Sequence, residues 1–248
     1  MGKAVYEFLE QKGKQNMKKA SYNERLFGGG LRRYIHLARF NWLKRKCEEY
    51  EARYDLVVEL GCYDGKSIEF LPNKPKRYYG FDAGWEDGIY DAMKKYRDEA
   101  FTFIVSSSPS DLAILSDKAT LVISLETLEH ISPDTLEDYL MNLCNIMITK
   151  SHFIITVPNE KGIIFLLKYI IKNLIYGNSQ EYSLREICAA TLGWMPLVKR
   201  NDHKGFNWES LVDQLERYFS ITEVNGVQLP MIPPSLNLTI GIVCRKET

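Results

Sequence analysis

DLVVELGCYDGKSIEFL, residues 55–71, is the stretch that decides the fold. Leu56–Leu60 is a short apolar run of the kind that forms a strand buried on both faces. Gly61 lets the chain leave that strand sharply, and Gly65 lets a helix begin close to a ligand. The spacing therefore predicts strand, turn, helix. The dinucleotide fingerprint GxGxxG does not fit, because it needs glycine at 63 and 66, where Tyr63 and Lys66 stand.

Working outward, similar runs recur at RYYGF (77–81), FTFIV (101–105), TLVIS (120–124) and HFIITV (152–157). Helical periodicity fills the gaps at 85–97 and 133–147, and Ser132, Pro133 and Asp134 are good start signals for the second. Strands alternating with helices predict an α/β fold with a parallel sheet. Asp82 follows the second run, 17 residues after Gly65. A carboxylate there can accept both hydroxyls of an adenosine ribose through charge-assisted hydrogen bonds. After Pro158 the rhythm breaks. An apolar stretch at 162–177 precedes a capping box from Ser183 to Glu186, a helix at 208–218 and two last strands near 220–224 and 238–244.

Glu59-Leu60-Gly61-Cys62-Tyr63-Asp64-Gly65 resembles the first motif of class I S-adenosylmethionine (SAM)-dependent methyltransferases, and Asp82 falls where that family places its ribose-binding acid. SLETLEHI (124–131) is similar to the segment after their fourth strand, and HFIITVPNE (152–160) to their fifth strand. The resemblance spans residues 50–248. It implies a Rossmann-like seven-stranded sheet in the order 3-2-1-4-5-7-6, with strand 7 antiparallel, and SAM as cofactor. It also implies that Glu59, Gly61 and Gly65 shape the methionine pocket, that Cys62 and Tyr63 of the same turn contact the cofactor, and that Ser124 and Leu125 flank it on the other side. Two positions depart from the family. Tyr63 replaces the usual glycine, where its ring can cover the cofactor, reach toward substrate or point away, and Ser108 stands where an acid often meets the adenine amine, with Asp111 three residues later.

Lys+Arg and Asp+Glu both number 32, so the chain carries no net charge, and this argues against nucleic acid as partner. Residues 1–50 are nonetheless basic, with twelve Lys/Arg against five Asp/Glu. They read as an N-terminal helical arm, interrupted at Gly28-Gly29-Gly30, ahead of a domain over 51–248. The five cysteines are scattered and form no CxxC pair, which fits reduced thiols in the cytoplasm and no structural zinc. No apolar leader opens the sequence.

Methyl transfer to a hydroxyl is helped by a base, and histidine has a suitable pKa. His130 follows the fourth strand, where ligands bind in open α/β sheets, and is the first candidate, with Glu126 and Glu129 beside it to orient it or bind a polar acceptor; as a helix cap it would be structural instead. His203, in DHKGFNW (202–208), is the second. His152 begins a buried strand and His36 lies in the basic arm. No spacing of His, Cys or acids signals a catalytic metal. The apolar run 163–176 is too short to span a bilayer, which takes about 20 residues. Lys168 and Lys172 share one of its faces. Three readings are open for this run, which opens a helical insert over 162–207: a lid packed on the core or on a second copy in a homodimer, the wall of an apolar acceptor pocket, or a helix lying in the inner membrane surface with its lysines at the headgroups. Residues 157–177, 202–208 and 231–237 also resemble, more loosely, bacterial methyltransferases found with surface-polysaccharide enzymes. That resemblance implies a sugar or glycan hydroxyl as acceptor. A quinone or lipid acceptor and a non-catalytic SAM-binding protein are the alternatives.

Overall fold

The computed structural model describes residues 30–115, 118–176 and 182–247. The expected helices before Gly30 lie outside these residues. Helix α1 (Gly30–Glu49) leads into strands β1 (Val57–Leu60), β2 (Tyr78–Asp82), β3 (Phe101–Val105), β4 (Ala119–Leu125) and β5 (Met147–Pro158), then β6 (Ser220–Gly226) and β7 (Thr239–Arg245). Between them run helices α2 (Gly88–Lys95), α3 (Pro133–Ile146), α4 (Gly162–Tyr176), α5 (Leu184–Leu192) and α6 (Trp208–Leu215).

The seven strands form one sheet in the order 3-2-1-4-5-7-6. β1 to β5 are parallel where they pair, and β7 runs antiparallel to both β5 and β6. This is the expected topology. β1 and β4 are buried at every position, as central strands covered on both faces must be. One face carries α3 and α6, with Leu140, Leu143, Leu211 and Leu215 in the core. The other face carries α1 and α2, with Trp42, Leu43 and Ile89.

The sequence expects a full helix after Gly65, but the chain makes only a short 3-10 turn over Lys66–Phe70. Pro72 and Pro75 explain the difference. Leu71, just before the first proline, is held extended, which ends the helix. The stretch expected as one helix over 85–97 is likewise broken. Glu86 and Asp87 take left-handed backbone conformations ahead of α2. The capping box at Ser183 is present in full, and Ser132 caps α3.

The described part of the basic arm, α1, packs on the sheet. Trp42 is fully buried against Gly241 of β7, where a Cβ would meet the indole at 2.3 Å. Lys46 donates to Glu223 of β6 at 2.7 Å. Trp42→Ala is expected to cost about 3–5 kcal/mol of unfolding free energy, because a large cavity opens beneath the sheet. Urea denaturation measures this. All five cysteines are free, and among the described residues no helix is long and apolar enough to cross a membrane.

Candidate active site

One cavity of about 1300 Å³ opens at the carboxyl ends of β1, β2, β4 and β5. Such a crevice is where open α/β sheets bind ligands. Of the residues singled out from sequence, Glu59, Gly61, Cys62, Tyr63, Asp82, Leu125, His130 and His203 line it. Gly65, Ser108 and Ser124 do not.

At one end the turn after β1 meets the end of β2. Asp82 is buried and accepts from the backbone N–H of Tyr63 at 3.0 Å, of Gly84 at 2.7 Å and of Trp85 at 3.3 Å. These donors take three of its roughly four acceptor sites. Asp82 thus ties two turns together and still faces the cavity. Gly61 has a φ of 70°, and a Cβ there would lie 2.0 Å from Thr127 Oγ1. The turns after β1 and β4 therefore touch because residue 61 has no side chain. Gly65 also has a φ of 70°, and its N–H donates to the Cys62 carbonyl at 2.8 Å. Its part is to close the turn, beneath the ring of Tyr96.

Tyr63 adopts a φ of 45°, a conformation that favours glycine. Its ring lies against Gly88 and 5.8 Å from the Trp85 ring, so it walls the side of the cavity. Ser124 is fully buried behind the lining, with no hydrogen-bond partner for its hydroxyl. On the β3 side, Ser106 and Ser107 face the cavity. Ser108 turns away toward the Ser110 hydroxyl at 2.8 Å, because the 3-10 turn over Pro109–Ile114 begins there.

Glu59 is buried and accepts from the hydroxyls of Ser67 and Tyr78. Burial pushes its carboxyl up to about 7, against the pull of those two donors. The folded chain therefore holds a proton there that the unfolded chain releases. The stability so gained is complete below about pH 4.5 and is lost as pH rises to about 7. Glu59→Gln is expected to remove that loss, on the order of 3 kcal/mol, in denaturation curves taken across the window.

The other end of the cavity is acidic and rich in imidazole. The Glu129 side chain is fully buried, and neither carboxylate oxygen has a hydrogen-bond partner. Burial, and then the charge of Glu126, hold its carboxyl well above the usual range. Glu126 is itself raised by burial and sits at a φ of 55°. His130 Nε2 and His203 Nδ1 both lie 3.8 Å from Glu129 Oε1. The two rings meet edge to face with centroids 4.3 Å apart. His130 Nδ1 bonds the carboxylate of Asp202. Burial, then the charge of His130, lowers the His203 pKa.

A small hairpin places the second histidine. Asn201 and Lys204 exchange backbone hydrogen bonds of 3.0 Å, which puts Asp202 and His203 at its tip. Arg200 donates to the carbonyl of Glu129, and Lys204 pairs with Glu186 of α5 at 2.8 Å. The hairpin is thereby fastened to both the β4 exit and the insert. Sequence reasoning found the two histidines and named Glu126 and Glu129 beside His130, but it missed the burial of Glu129 and the partner Asp202. The spacing Glu126, Glu129, His130 was the available signal.

Helix α4 covers this end with Phe165, Lys168, Tyr169 and Lys172. Lys168 reaches Glu160 at 2.5 Å and the Asn159 carbonyl at 3.0 Å. The two lysines share a face, as expected, and that face lines the cavity. The opposite, aliphatic face is outward, and Leu174 is 80% exposed. The wall α4 provides is mixed polar and aromatic, where an apolar pocket was one expectation.

No family model and no curated protein matches the chain. Solved structures do. A SAM-dependent methyltransferase from Clostridium acetobutylicum is 14% identical with a TM-score of 0.59, covering 99% of this chain and 100% of that one. The N-methyltransferase NodS from Bradyrhizobium japonicum, in complex with S-adenosyl-L-homocysteine (SAH), is 14% identical with a TM-score of 0.56 and 97% of each chain covered. Magnesium protoporphyrin IX methyltransferase from Synechocystis, with bound SAH, is 16% identical with a TM-score of 0.53, over 98% of this chain and 95% of that one. The chain has the Rossmann-like fold shared by these SAM-dependent methyltransferases.

Proposed function

We propose that this chain is a SAM-dependent methyltransferase that methylates a hydroxyl of a polar small molecule or of a sugar or glycan. The observation that carries the reading is that one cavity joins two unlike ends. The first holds a glycine turn and the strand-end acid Asp82, which fit the ribose and methionine parts of SAM. The second holds Glu126, Glu129, His130 and His203, which fit a polar acceptor. When bound, SAM supplies an already activated methyl group. The protein's task is then alignment, exclusion of water and removal of one proton. His203, held neutral by burial, can receive that proton, and His130 is oriented for the same task by Asp202. Tyr169 and Lys168 on α4 line the acceptor side. The test is transfer of labelled methyl from SAM into bacterial polysaccharide and small-molecule fractions. Label in a sugar fraction supports the reading. SAM binding without transfer into any fraction would favour a non-catalytic SAM-binding protein.

A second reading has its own support. Leu174, Leu184 (83% exposed) and Trp194 (60% exposed) present apolar surface on the insert. Exposed aliphatic and aromatic side chains of this kind suit peripheral contact with a membrane that presents a lipid-linked acceptor. Flotation of the full chain with anionic liposomes tests it. Binding that is lost in Leu174→Glu/Trp194→Glu supports the contact, and no binding by the intact chain removes it.

A further inference from the structure

Glu129 poses a physical problem. Its carboxylate is wholly buried and unbonded, with Glu126 beside it. A buried carboxylate without partners is costly, and a second one nearby makes it costlier. The cations within reach do not resolve this. Lys168 is committed to Glu160 and the Asn159 carbonyl, Arg200 donates to the Glu129 backbone carbonyl, and Arg200 and Arg39 act on the Glu129 carboxylate only through space. Meanwhile two imidazole nitrogens point at the same carboxylate oxygen from 3.8 Å, too far for a hydrogen bond. One atom each from Glu129, His130 and His203 lie within 4.8 Å of one another. Ligand atoms around a single cation, with bonds of about 2.0–2.2 Å, are themselves roughly 3–4 Å apart.

We infer that Glu129, His130 and His203 form the binding site of a divalent transition-metal cation at the acceptor end of the cavity. Two neutral imidazoles and one carboxylate suit zinc, manganese, cobalt or iron, whereas magnesium and calcium prefer oxygen ligands throughout. Three protein ligands at the wall of an open cavity leave positions for acceptor oxygens. The Asp202 carboxylate on the far nitrogen of His130 is the usual outer partner of a metal-bound histidine, fixing tautomer and ring orientation.

This inference deepens the proposed methyl transfer and rests on it for its catalytic meaning. The two imidazoles then act on the acceptor hydroxyl through a cation and not as direct bases. A cation there holds the hydroxyl oxygen and lowers its pKa. The proton leaves to water, the methyl passes from sulfur to oxygen, and the sulfonium becomes a neutral thioether.

The experiment uses the full chain, stripped with a chelator and titrated with Co²⁺ and Zn²⁺ alone. One Co²⁺ per chain is expected, with visible ligand-field absorption that Zn²⁺ abolishes. Glu129→Gln, His130→Ala and His203→Ala should each weaken the ion by about 100-fold or more, and Asp202→Ala by roughly 10-fold. Calorimetry with SAM on the same variants reports folding and the cofactor end independently, so metal binding is read whether or not SAM binds. Absence of ion binding at millimolar Co²⁺ and Zn²⁺ would overturn the inference. So would ion binding that all four variants leave intact.

Discussion

Asp82→Ala is expected to weaken SAM binding by about 100-fold, ~2.7 kcal/mol. The size follows from the residue's two tasks. In the proposed complex its carboxylate accepts ribose hydroxyls, and hydrogen bonds to a charged group are worth roughly 1.5–3 kcal/mol each. It also accepts from the backbone of Tyr63, Gly84 and Trp85, so its loss frees both turns that frame the cofactor end. Asp82→Asn should fall short of wild type as well, because an amide NH₂ set opposite the Tyr63 N–H puts two donors face to face. Ser108→Ala is the contrasting control. Its side chain is turned out of the cavity, and its effect should stay within about 2-fold, well under 1 kcal/mol. Calorimetry measures all three. An Asp82→Ala protein that binds SAM like wild type would refute the assignment.

Glu129→Gln is expected to do two opposite things. Turnover should fall by about 100-fold or more, as loss of a transition-state interaction worth roughly 3 kcal/mol would produce. The chelator-treated protein should meanwhile become more stable. Because burial raises the Glu129 carboxyl, the folded chain holds a proton that the unfolded chain gives up. Stability is therefore complete below the ordinary carboxylate range and is lost as pH rises through the folded value. Glutamine suffers no such loss, so its advantage over wild type should be small at pH 4.5 and grow toward pH 8. Added Co²⁺ should reverse the order, since a ligand that binds only the folded state stabilises it. Urea denaturation at the two pH values, with and without the ion, reads each part. A variant less stable than wild type at pH 8 without the ion would contradict this picture of the buried acid.

The elements that carried the fold were legible because their physics is local. Buried parallel strands must read as apolar runs, so Val57–Leu60 and Ala119–Leu125 announced themselves, and the capping box at Ser183 could be read from four residues. The helix expected after Gly65 stops within about one turn because Pro72 holds Leu71 extended. The face that α4 turns inward was also hidden. Its aliphatic side looks like a core face, yet Lys168 is drawn to Glu160 at the cavity, and a single-helix pattern holds no trace of that partner. The acceptor end was the least legible part. Glu129 and His203 stand 74 positions apart, and only the return of the chain through the hairpin at Asn201–Lys204 brings them together. Burial, which makes Glu129 chemically unusual, is a property of the assembled fold.

The central claim is that the cavity framed by Gly61 and Asp82 binds SAM. Calorimetry of the full chain with SAM, SAH and NAD tests it most directly. SAM and SAH should each bind at one site per chain, and NAD should give no binding heat. Binding of NAD with neither SAM nor SAH bound would contradict the claim.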